Sequence, residues 1–174
     1  MPAAIGRSYE GMRTLLILRH GKAAPEDGGS DAARPLTQRG KRDAELIGQL
    51  LRRDGLVPDR ILTSSARRAR ETASQAASAV RFSGSIDELE ELYLAEPEGY
   101  ITAVRKRAPD AQRVLLVGHN PGLEALALIL TGDPVSLPPA GLVVCALPIA
   151  SFAELEPQVR GEMSRFVRPS ELEA

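Results

Sequence analysis

The strongest constraint on the fold is an apolar run without alternation that ends at a cation and an imidazole. Residues 15–18 read Leu-Leu-Ile-Leu and are followed by Arg19, His20 and Gly21. Consecutive branched apolar residues are typical of a strand buried on both faces, as in a parallel sheet covered by helices. Ligands bind beyond the carboxyl ends of such strands, so Arg19 and His20 stand where an anion such as phosphate or a carboxylate would bind.

The same design occurs once more, later in the chain. After Arg113, residues 114–117 form a second apolar run, and Gly118, His119 and Asn120 follow it. His20 and His119 are the two histidines of the chain. Because the carboxyl ends of parallel strands meet at one edge of a sheet, we expect the two imidazoles to converge there.

The remaining segments predict an alternation of helices and strands. In chain order, these are a helix capped by Thr37 and ended by Gly55, a strand at 59–63, helices that open at Ser64 and at Pro97, a helix ended by Gly132, and strands at 142–147 and 163–167. The last two strands are expected to be antiparallel to each other. We therefore predict an α/β fold, a three-layer α/β/α sandwich whose central sheet is mostly parallel with an antiparallel C-terminal portion.

Composition restricts the partners and the compartment. The 22 Lys and Arg balance 23 Asp and Glu, so the charge of −1 indicates neither nucleic acid nor an anionic membrane as a partner. Cys145 is the single cysteine and lies in an apolar run, which predicts a small buried hydrophobe. No segment has transmembrane length or the apolar core of a signal peptide. We expect a soluble, cytoplasmic protein with residues 1–11 as a flexible N-terminal arm and residues 12–174 as a single domain.

Three arginines crowd the start of the second predicted helix. Arg67, Arg68 and Arg70 lie where the helix dipole already presents positive charge, which costs stability unless an anion binds there. A solvated cationic face is the simpler interpretation for Arg67 and Arg70. Arg68 follows the second strand by one helical turn, at the edge where the histidines should meet. One histidine at a strand end is usually structural, but two of them flanking these arginines predict a shared anion site.

These residues resemble the signatures of the histidine phosphatase superfamily. Arg19-His20-Gly21 matches its first signature, and residues 117–122, Val-Gly-His-Asn-Pro-Gly, match its third. Residues 64–73 look like its helix-opening motif, with Ser65 where the family usually has proline and Arg68 as the second phosphate-binding arginine.

The resemblance runs from about Arg13 to the C-terminus and implies a phosphoglycerate mutase-like fold. Residues 31–40, Asp-Ala-Ala-Arg-Pro-Leu-Thr-Gln-Arg-Gly, are similar to the small SixA-type phosphohistidine phosphatases in particular.

The resemblance also implies a phosphatase mechanism. His20, a neutral imidazole with an ordinary pKa of about 6.5, would attack phosphorus in line and form a phosphohistidine intermediate that water hydrolyses. Arg19, Arg68 and a protonated His119 would bind the phosphoryl oxygens and stabilise the charge of the transition state. Because the sequence contains no metal-binding motif and no P-loop, we expect no metal and no other cofactor.

The acid that protonates the leaving group is left open by the sequence. The resemblance places a carboxylate between the second and third signatures, where Glu91 is the best match. Asp27 and Asp31, in the loop after the first strand, are rivals, and a solvated acidic face is the alternative interpretation for Glu91. If the substrate is phosphohistidine, the leaving imidazole needs a strong acid less than an alkoxide does.

The short segment between the second helix and Arg113 bears on the substrate. Larger members of the family carry a cap there, so we expect an open pocket that favours phosphohistidine on a protein. Two alternatives stay open, a phosphatase for small phosphate esters and a non-catalytic phosphate-binding module that has lost its acid.

Overall fold

The computed structural model describes residues 11–173, in which strands and helices alternate along the chain. The strands are β1 (Arg13–Arg19), β2 (Arg60–Ser64), β3 (Ile86–Leu89), β4 (Arg113–Gly118), β5 (Leu142–Leu147) and β6 (Glu162–Val167). The α-helices are α1 (Gln38–Arg53), α2 (Arg67–Val80), α3 (Pro97–Arg107) and α4 (Gly122–Thr131). The arm predicted for residues 1–11 lies outside the described residues, except for Gly11.

All six strands join one sheet in the order β3-β2-β4-β1-β5-β6. The pairs β3–β2, β2–β4 and β4–β1 are parallel. In contrast, β5 is antiparallel to β1, and β6 is antiparallel to β5. Helices α1 and α2 pack on one face of this sheet, and α3 and α4 pack on the other. The predicted three-layer α/β/α fold with an antiparallel C-terminal portion is therefore confirmed.

The side chains of β1 alternate between the two helical layers. Leu15 and Ile17 pack in the cluster that contains α3 and α4, while Leu16 and Leu18 pack in the cluster that contains α1 and α2. All four are 0% exposed. Full burial of one such side chain contributes about 1.5–3 kcal/mol, so a polar residue is disfavoured anywhere in this run. The absence of alternation in the sequence reflects this two-sided burial.

The start of α1 lies against the end of β1. Thr37 caps α1 as predicted, because its Oγ1 accepts a hydrogen bond from Gly40 N at 3.0 Å. A Cβ on Gly40 would lie 2.3 Å from Lys22 O, and a Cβ on Gly21 would lie 2.8 Å from Gly40 O. Neither position has room for a side chain, so the glycine after His20 serves a close approach of backbone to backbone.

One helix begins later than the sequence predicts. Ser64 ends β2, and α2 starts at Arg67 rather than at the serines. The Ser64 Oγ accepts a hydrogen bond from Ala66 N at 3.2 Å and lies 2.8 Å from His119 Nε2. This side chain is therefore used at the sheet edge and does not cap the helix.

The fold also bears on two expectations from composition. Cys145 is a free thiol buried in β5, and burial raises its pKa to about 12, so it behaves as the predicted small hydrophobe. Within residues 11–173, none of the helices combines the length and the apolar character needed to cross a membrane.

Candidate active site

The two histidines meet because their strands are direct neighbours. β1 and β4 pair in parallel with Arg19 opposite Gly118, so His20 and His119 follow at the same sheet edge. His20 N donates a hydrogen bond to Gly118 O at 3.1 Å, and the two imidazole centroids are 5.3 Å apart. The convergence predicted from the strand ends is observed.

Arg68 joins the two imidazoles from the first turn of α2. Its Nε donates to His20 Nε2 at 3.3 Å, and its Nη2 lies 3.4 Å from His119 Nδ1. The Thr72 hydroxyl donates to Arg68 O at 2.7 Å and accepts from Gly21 N at 2.9 Å, which ties this turn of α2 to the residue after His20. The Arg68 side chain is 3% exposed, so it is held in place by its surroundings.

These residues line one cavity of about 510 Å³ at the carboxyl edge of the sheet. Its lining consists of Arg19, His20, Lys22, Ala23, Asp31, Arg34, Arg68, Leu94, His119, Asn120 and Pro139. Arg19 Nη1 donates to Leu137 O at 2.9 Å, whereas its buried Nε has no hydrogen-bond partner among the described residues. Four of the lining side chains are Lys or Arg and one is Asp, so the cavity suits an anion.

His20 is held in the form that a nucleophile requires. Its Nδ1 lies 2.7 Å from Gly21 O, and a carbonyl accepts a hydrogen bond only from a protonated nitrogen, so Nε2 carries the lone pair. Burial, opposed by the Gly21 hydrogen bond and assisted by the charges of Arg68 and Arg19, lowers the pKa of His20 to about 4. The imidazole is therefore neutral at pH 7, and its unprotonated Nε2 accepts the long hydrogen bond from Arg68.

The ligand-free site disfavours the protonated form of His119. Burial, followed by the nearby His20 and Arg68, lowers its pKa to about 3, so the ligand-free site holds a neutral ring. Its Nδ1 faces a donor of Arg68 and so acts as an acceptor, which leaves Nε2–H to donate to Ser64 Oγ at 2.8 Å. A second cation beside Arg68 is disfavoured in this buried ligand-free site, and protonation of His119 during phosphoryl transfer stays a prediction.

The structure separates the three candidate acids. Asp31 lies in the cavity, and its Oδ2 accepts hydrogen bonds from Tyr93 Oη at 2.5 Å and from Arg68 Nη2 at 3.0 Å. Glu91 is exposed, lies 3.6 Å from Arg107 and lines a different surface cavity. Asp27 is exposed and accepts a hydrogen bond from the neighbouring Gly29 N. Glu91 and Asp27 are thus not brought to the histidines.

Asp31 is ionised in this arrangement and acts as a hydrogen-bond acceptor, not as an acid. The Tyr93 hydrogen bond, together with Arg68 and Arg34, holds the pKa of Asp31 well below its usual range, against an opposing effect of burial. Arg34 Nη2 lies 2.9 Å from Asp31 Oδ1, so both carboxylate oxygens are paired with donors. At neutral pH the group is an anion that accepts hydrogen bonds and has no proton to give.

The other two arginines of α2 lie on an exposed face. Arg67 Nε donates to Glu71 at 2.6 Å, and Arg70 Nε donates to Ser65 O at 3.0 Å. Neither lines the cavity. Both fit the simpler interpretation of a solvated cationic face.

Several residues of the site were not identified from the sequence. Ser64, Tyr93 and Thr72 each touch a predicted site residue, and Arg34 pairs with Asp31. The sequence did contain a signal for Arg34, because it lies in segment 31–40, which is similar to the SixA-type phosphatases. Ser64 and Thr72 carried a signal of the same kind, because they lie in segment 64–73, which resembles the helix-opening motif. Tyr93 carried none, since its contact with Asp31 depends on how separate elements are placed in space.

Metal-binding side chains are not grouped in the described part of the chain. No set of three or more His, Cys, Asp or Glu side chains among residues 11–173 lies close enough to hold a metal ion. The charged side chains that line the cavity are mostly cations, which suit an anion.

Comparisons with known proteins identify relatives of this chain. The Rv1276c protein of Mycobacterium tuberculosis is 36% identical over 115 residues, which cover 65% of this chain and 69% of that one. The phosphohistidine phosphatase SixA of Escherichia coli is 29% identical over 109 residues, 62% of this chain and 67% of that one. The solved SixA structure from Nakamurella multipartitia, with 27% identity, superposes with a TM-score of 0.78 over 91% of this chain and 96% of that chain.

The family profile described as histidine phosphatase superfamily (branch 1) matches residues 15–115. That range begins on β1, includes Arg68 and reaches into β4, so it contains most of the parallel half of the sheet. The phosphoglycerate mutase-like fold implied by the sequence motifs is shown by the solved SixA structures as well. The chain therefore belongs to branch 1 of the histidine phosphatase superfamily.

Proposed function

We propose that this phosphatase removes the phosphoryl group from phosphohistidine on a protein, through a phosphohistidine intermediate on His20. The form of His20 supports this mechanism, because Nδ1–H is engaged by Gly21 O and Nε2 is free to attack. The Arg68 contact with Nε2 is long, at 3.3 Å, so a phosphoryl oxygen can replace it as the substrate enters. Arg19 and Arg68 then bind the oxygens of the phosphoryl group.

In the first step the Nε2 lone pair forms a bond to phosphorus while the bond from phosphorus to the substrate nitrogen breaks. The electron pair of that bond stays with the leaving imidazole, which departs as a neutral ring when its other nitrogen carries a proton. Water then attacks the phosphoryl group on His20, releases inorganic phosphate and regenerates the imidazole. The negative charge of the bound phosphoryl group raises the pKa of His119, so that its Nδ1 can take up a proton and donate to an oxygen.

The ionised form of Asp31 supports phosphohistidine, rather than a phosphate ester, as the substrate. An alkoxide leaving from a phosphate ester needs a proton, and a positioned acid typically contributes about 10²–10⁴-fold to such a step. Among the described residues, Asp31 is the one carboxyl group on the cavity lining, and its pKa is held well below the usual range. A site without a carboxylic acid in its protonated form favours a leaving group that departs without a new proton, as the imidazole of phosphohistidine does.

The segment between α2 and β4 supports a large substrate. Its regular elements are β3, a 3₁₀ helix at Glu90–Leu92 and α3, and α3 belongs to the helical layer on the sheet. A phosphorylated protein surface can approach a cavity that carries no added cap.

The proposal is tested by comparing two substrates with the same enzyme. We expect kcat/KM for a protein phosphorylated on histidine to exceed that for phosphoserine, an ester whose alkoxide leaving group needs a proton, by about 10²-fold or more, the factor that a missing acid costs such an ester. Brief exposure followed by an alkaline quench should trap the phosphoryl label on His20. His20→Ala should lose both label and turnover, whereas Arg67→Ala, on the exposed face of α2, should keep both.

Other outcomes identify the competing functions. A preference for the ester would indicate a phosphatase for small phosphate esters. Phosphate binding without turnover of either substrate would indicate a non-catalytic phosphate-binding module. Label on a residue other than His20 would contradict the mechanism.

Three further expectations accompany this function. We propose that the reaction needs no metal or other cofactor, since Arg19, Arg68 and His119 supply the charge that a metal would. We also propose that residues 12–174 act as one domain and that the protein works in the cytoplasm, where proteins of phosphotransfer signalling would be its partners. Cell fractionation tests the location.

A further inference from the structure

Two residues beside the catalytic cavity adopt a backbone conformation that side chains other than glycine rarely adopt. Within the described residues, the non-glycine positions with positive φ are Arg81, Leu94 and Ala140, at 63°, 52° and 60°. Arg81 ends α2, where a left-handed residue is ordinary. Leu94 lines the cavity, and Ala140 follows the lining residue Pro139. The unusual conformations are thus concentrated at the site.

Ala140 has a structural reason for its conformation. It is fully buried, and its N–H donates to His20 O at 3.0 Å. The next residue, Gly141, accepts a hydrogen bond from Arg19 N at 3.1 Å. The turn around Ala140 therefore holds the end of β1 and with it the catalytic pair.

Leu94 has no such reason in its own side chain. It is 57% exposed, more than Val57 at 41% or Leu128 at 47%, which are the other exposed large apolar residues of the described chain. The left-handed conformation is unfavourable for leucine, and asparagine or glycine would adopt it more readily. The leucine side chain is therefore not explained by packing or by the turn.

The neighbours of Leu94 hold it in this position. Leu92 is fully buried and accepts a hydrogen bond from Ala95 N at 3.3 Å, and Tyr93 is bound to Asp31. The residue after Leu94 is also fixed, because Ala95 O packs so closely on Gly122 that a Cβ added to this glycine would lie 2.0 Å from the oxygen. Such an over-determined outlier at a site points to a function for the side chain it presents.

We propose that Leu94 is a specificity residue that packs against an apolar side chain of the protein substrate, next to the phosphohistidine. This inference rests on the proposed protein substrate. The cations of the cavity bind a phosphoryl group on any molecule, so a preference for a protein requires contact beyond the phosphate. Leu94 is the one large apolar side chain in the cavity lining, where Ala23 and Pro139 are smaller.

A second surface cavity borders this segment and offers a further contact surface for a bound protein. It has a volume of about 670 Å³ and is lined by Glu91, Glu98, Gly99, Thr102, Ala103, Lys106 and Arg107. Glu91 and Glu98, which line this second cavity, come before and after Leu94 in the sequence, and Leu94 itself lines the first cavity. The segment from Glu91 to Glu98 therefore borders both cavities. A small phosphate compound would fill the first cavity alone, whereas a protein can reach both.

Leu94→Asn tests the proposal, because asparagine accepts the left-handed backbone but removes the apolar contact. The two probes are free phosphohistidine and a histidine phosphotransfer domain phosphorylated with phosphoramidate. We expect kcat/KM for the phosphorylated domain to fall about tenfold, mainly through KM, as loss of a mostly buried leucine contact would cause. Turnover of free phosphohistidine should stay unchanged. Leu94→Met, which keeps an apolar side chain, should keep activity on the phosphorylated domain.

The matched control is Leu128→Gln, which removes another exposed leucine on α4 that does not line the cavity. It should leave both activities unchanged. Wild-type kcat/KM for the phosphorylated domain in Leu94→Asn would overturn the role of Leu94 while leaving the proposed function intact. An equal loss for both probes would also overturn it, because a merely structural role affects both. A wild-type enzyme that acts on neither phosphohistidine probe would refute the proposed function, and this inference with it.

Discussion

Replacing Arg68 by lysine would separate the geometry of the site from its charge. The guanidinium reaches His20 Nε2, the backbone and carboxylate oxygens of Asp31, and the neighbourhood of His119 Nδ1 with three different nitrogens. Lysine keeps the positive charge but has a single nitrogen on a flexible stem. It cannot hold the Asp31 loop and a phosphoryl group at the same time.

The expected loss follows from the donors that are removed. Loss of one preorganised donor to a transition-state anion typically costs about 2.7–4 kcal/mol, which corresponds to about 10²–10³-fold in kcat. The protein should also lose about 1–2 kcal/mol of unfolding free energy, because the nearly buried Arg68 gives up its charge-assisted bonds to Asp31. The catalytic effect should therefore be larger than the effect on stability.

Steady-state kinetics with a phosphorylated protein, together with urea unfolding, would measure both effects. Arg67→Lys is the matched control, because Arg67 is the preceding residue and is exposed with an ion pair to Glu71. It should change stability by no more than about 1 kcal/mol and leave kcat unchanged. If Arg68→Lys kept the wild-type kcat, a bridging role for the guanidinium would be refuted.

Three other outcomes are expected. Gly40→Ala should destabilise the fold by about 1–3 kcal/mol in urea unfolding, because its Cβ would meet backbone Lys22 O at 2.3 Å, whereas exposed Gly29→Ala should stay within about 0.5 kcal/mol. Since burial lowers the pKa of His20 to about 4 and of His119 to about 3, neither ring signal should titrate by NMR near the ordinary pKa of about 6.5. The unfolded chain takes up these protons first, so stability should fall as the pH drops below about 6.5, and a midpoint near 6.5 in the folded protein would contradict both statements. Dialysis against a chelator should leave turnover unchanged, and a loss restored by a divalent cation would show that a metal takes part.

The parts of the site that follow from strand ends could be predicted from the sequence. His20 and His119 stand directly after uninterrupted apolar runs, and such runs lead to one edge of a parallel sheet whatever the loops do. Arg68 follows from the same rule, because it lies one helical turn after β2. The positions of these strand ends can be read from short stretches of sequence, because the apolar runs and the glycines beside them are local features.

The contacts of the candidate carboxylates and the charge state of His119 could not be predicted in this way. Asp31 reaches Arg68 and Tyr93 only because a loop, a helix and a 3₁₀ turn meet in space, and no local pattern describes the path of that loop. Glu91 matches the expected position along the chain, but its side chain faces Arg107 on α3. The neutral state of His119 results from burial, which depends on packing over the whole sheet edge.

The place of β1 in the sheet has a consequence for how the enzyme is made. Among the described strands β1 is synthesised first, yet both of its partners, β4 and β5, come from the second half of the chain. Pairings of such high sequence separation form slowly, and until they form the run of residues 15–18 has no strand on either side. An unfinished chain would thus expose this apolar run and lack the contact between His20 and Gly118. Catalytic competence should therefore appear late in synthesis, together with closure of the sheet centre, and nascent chains that stop before β5 should be targets for chaperones.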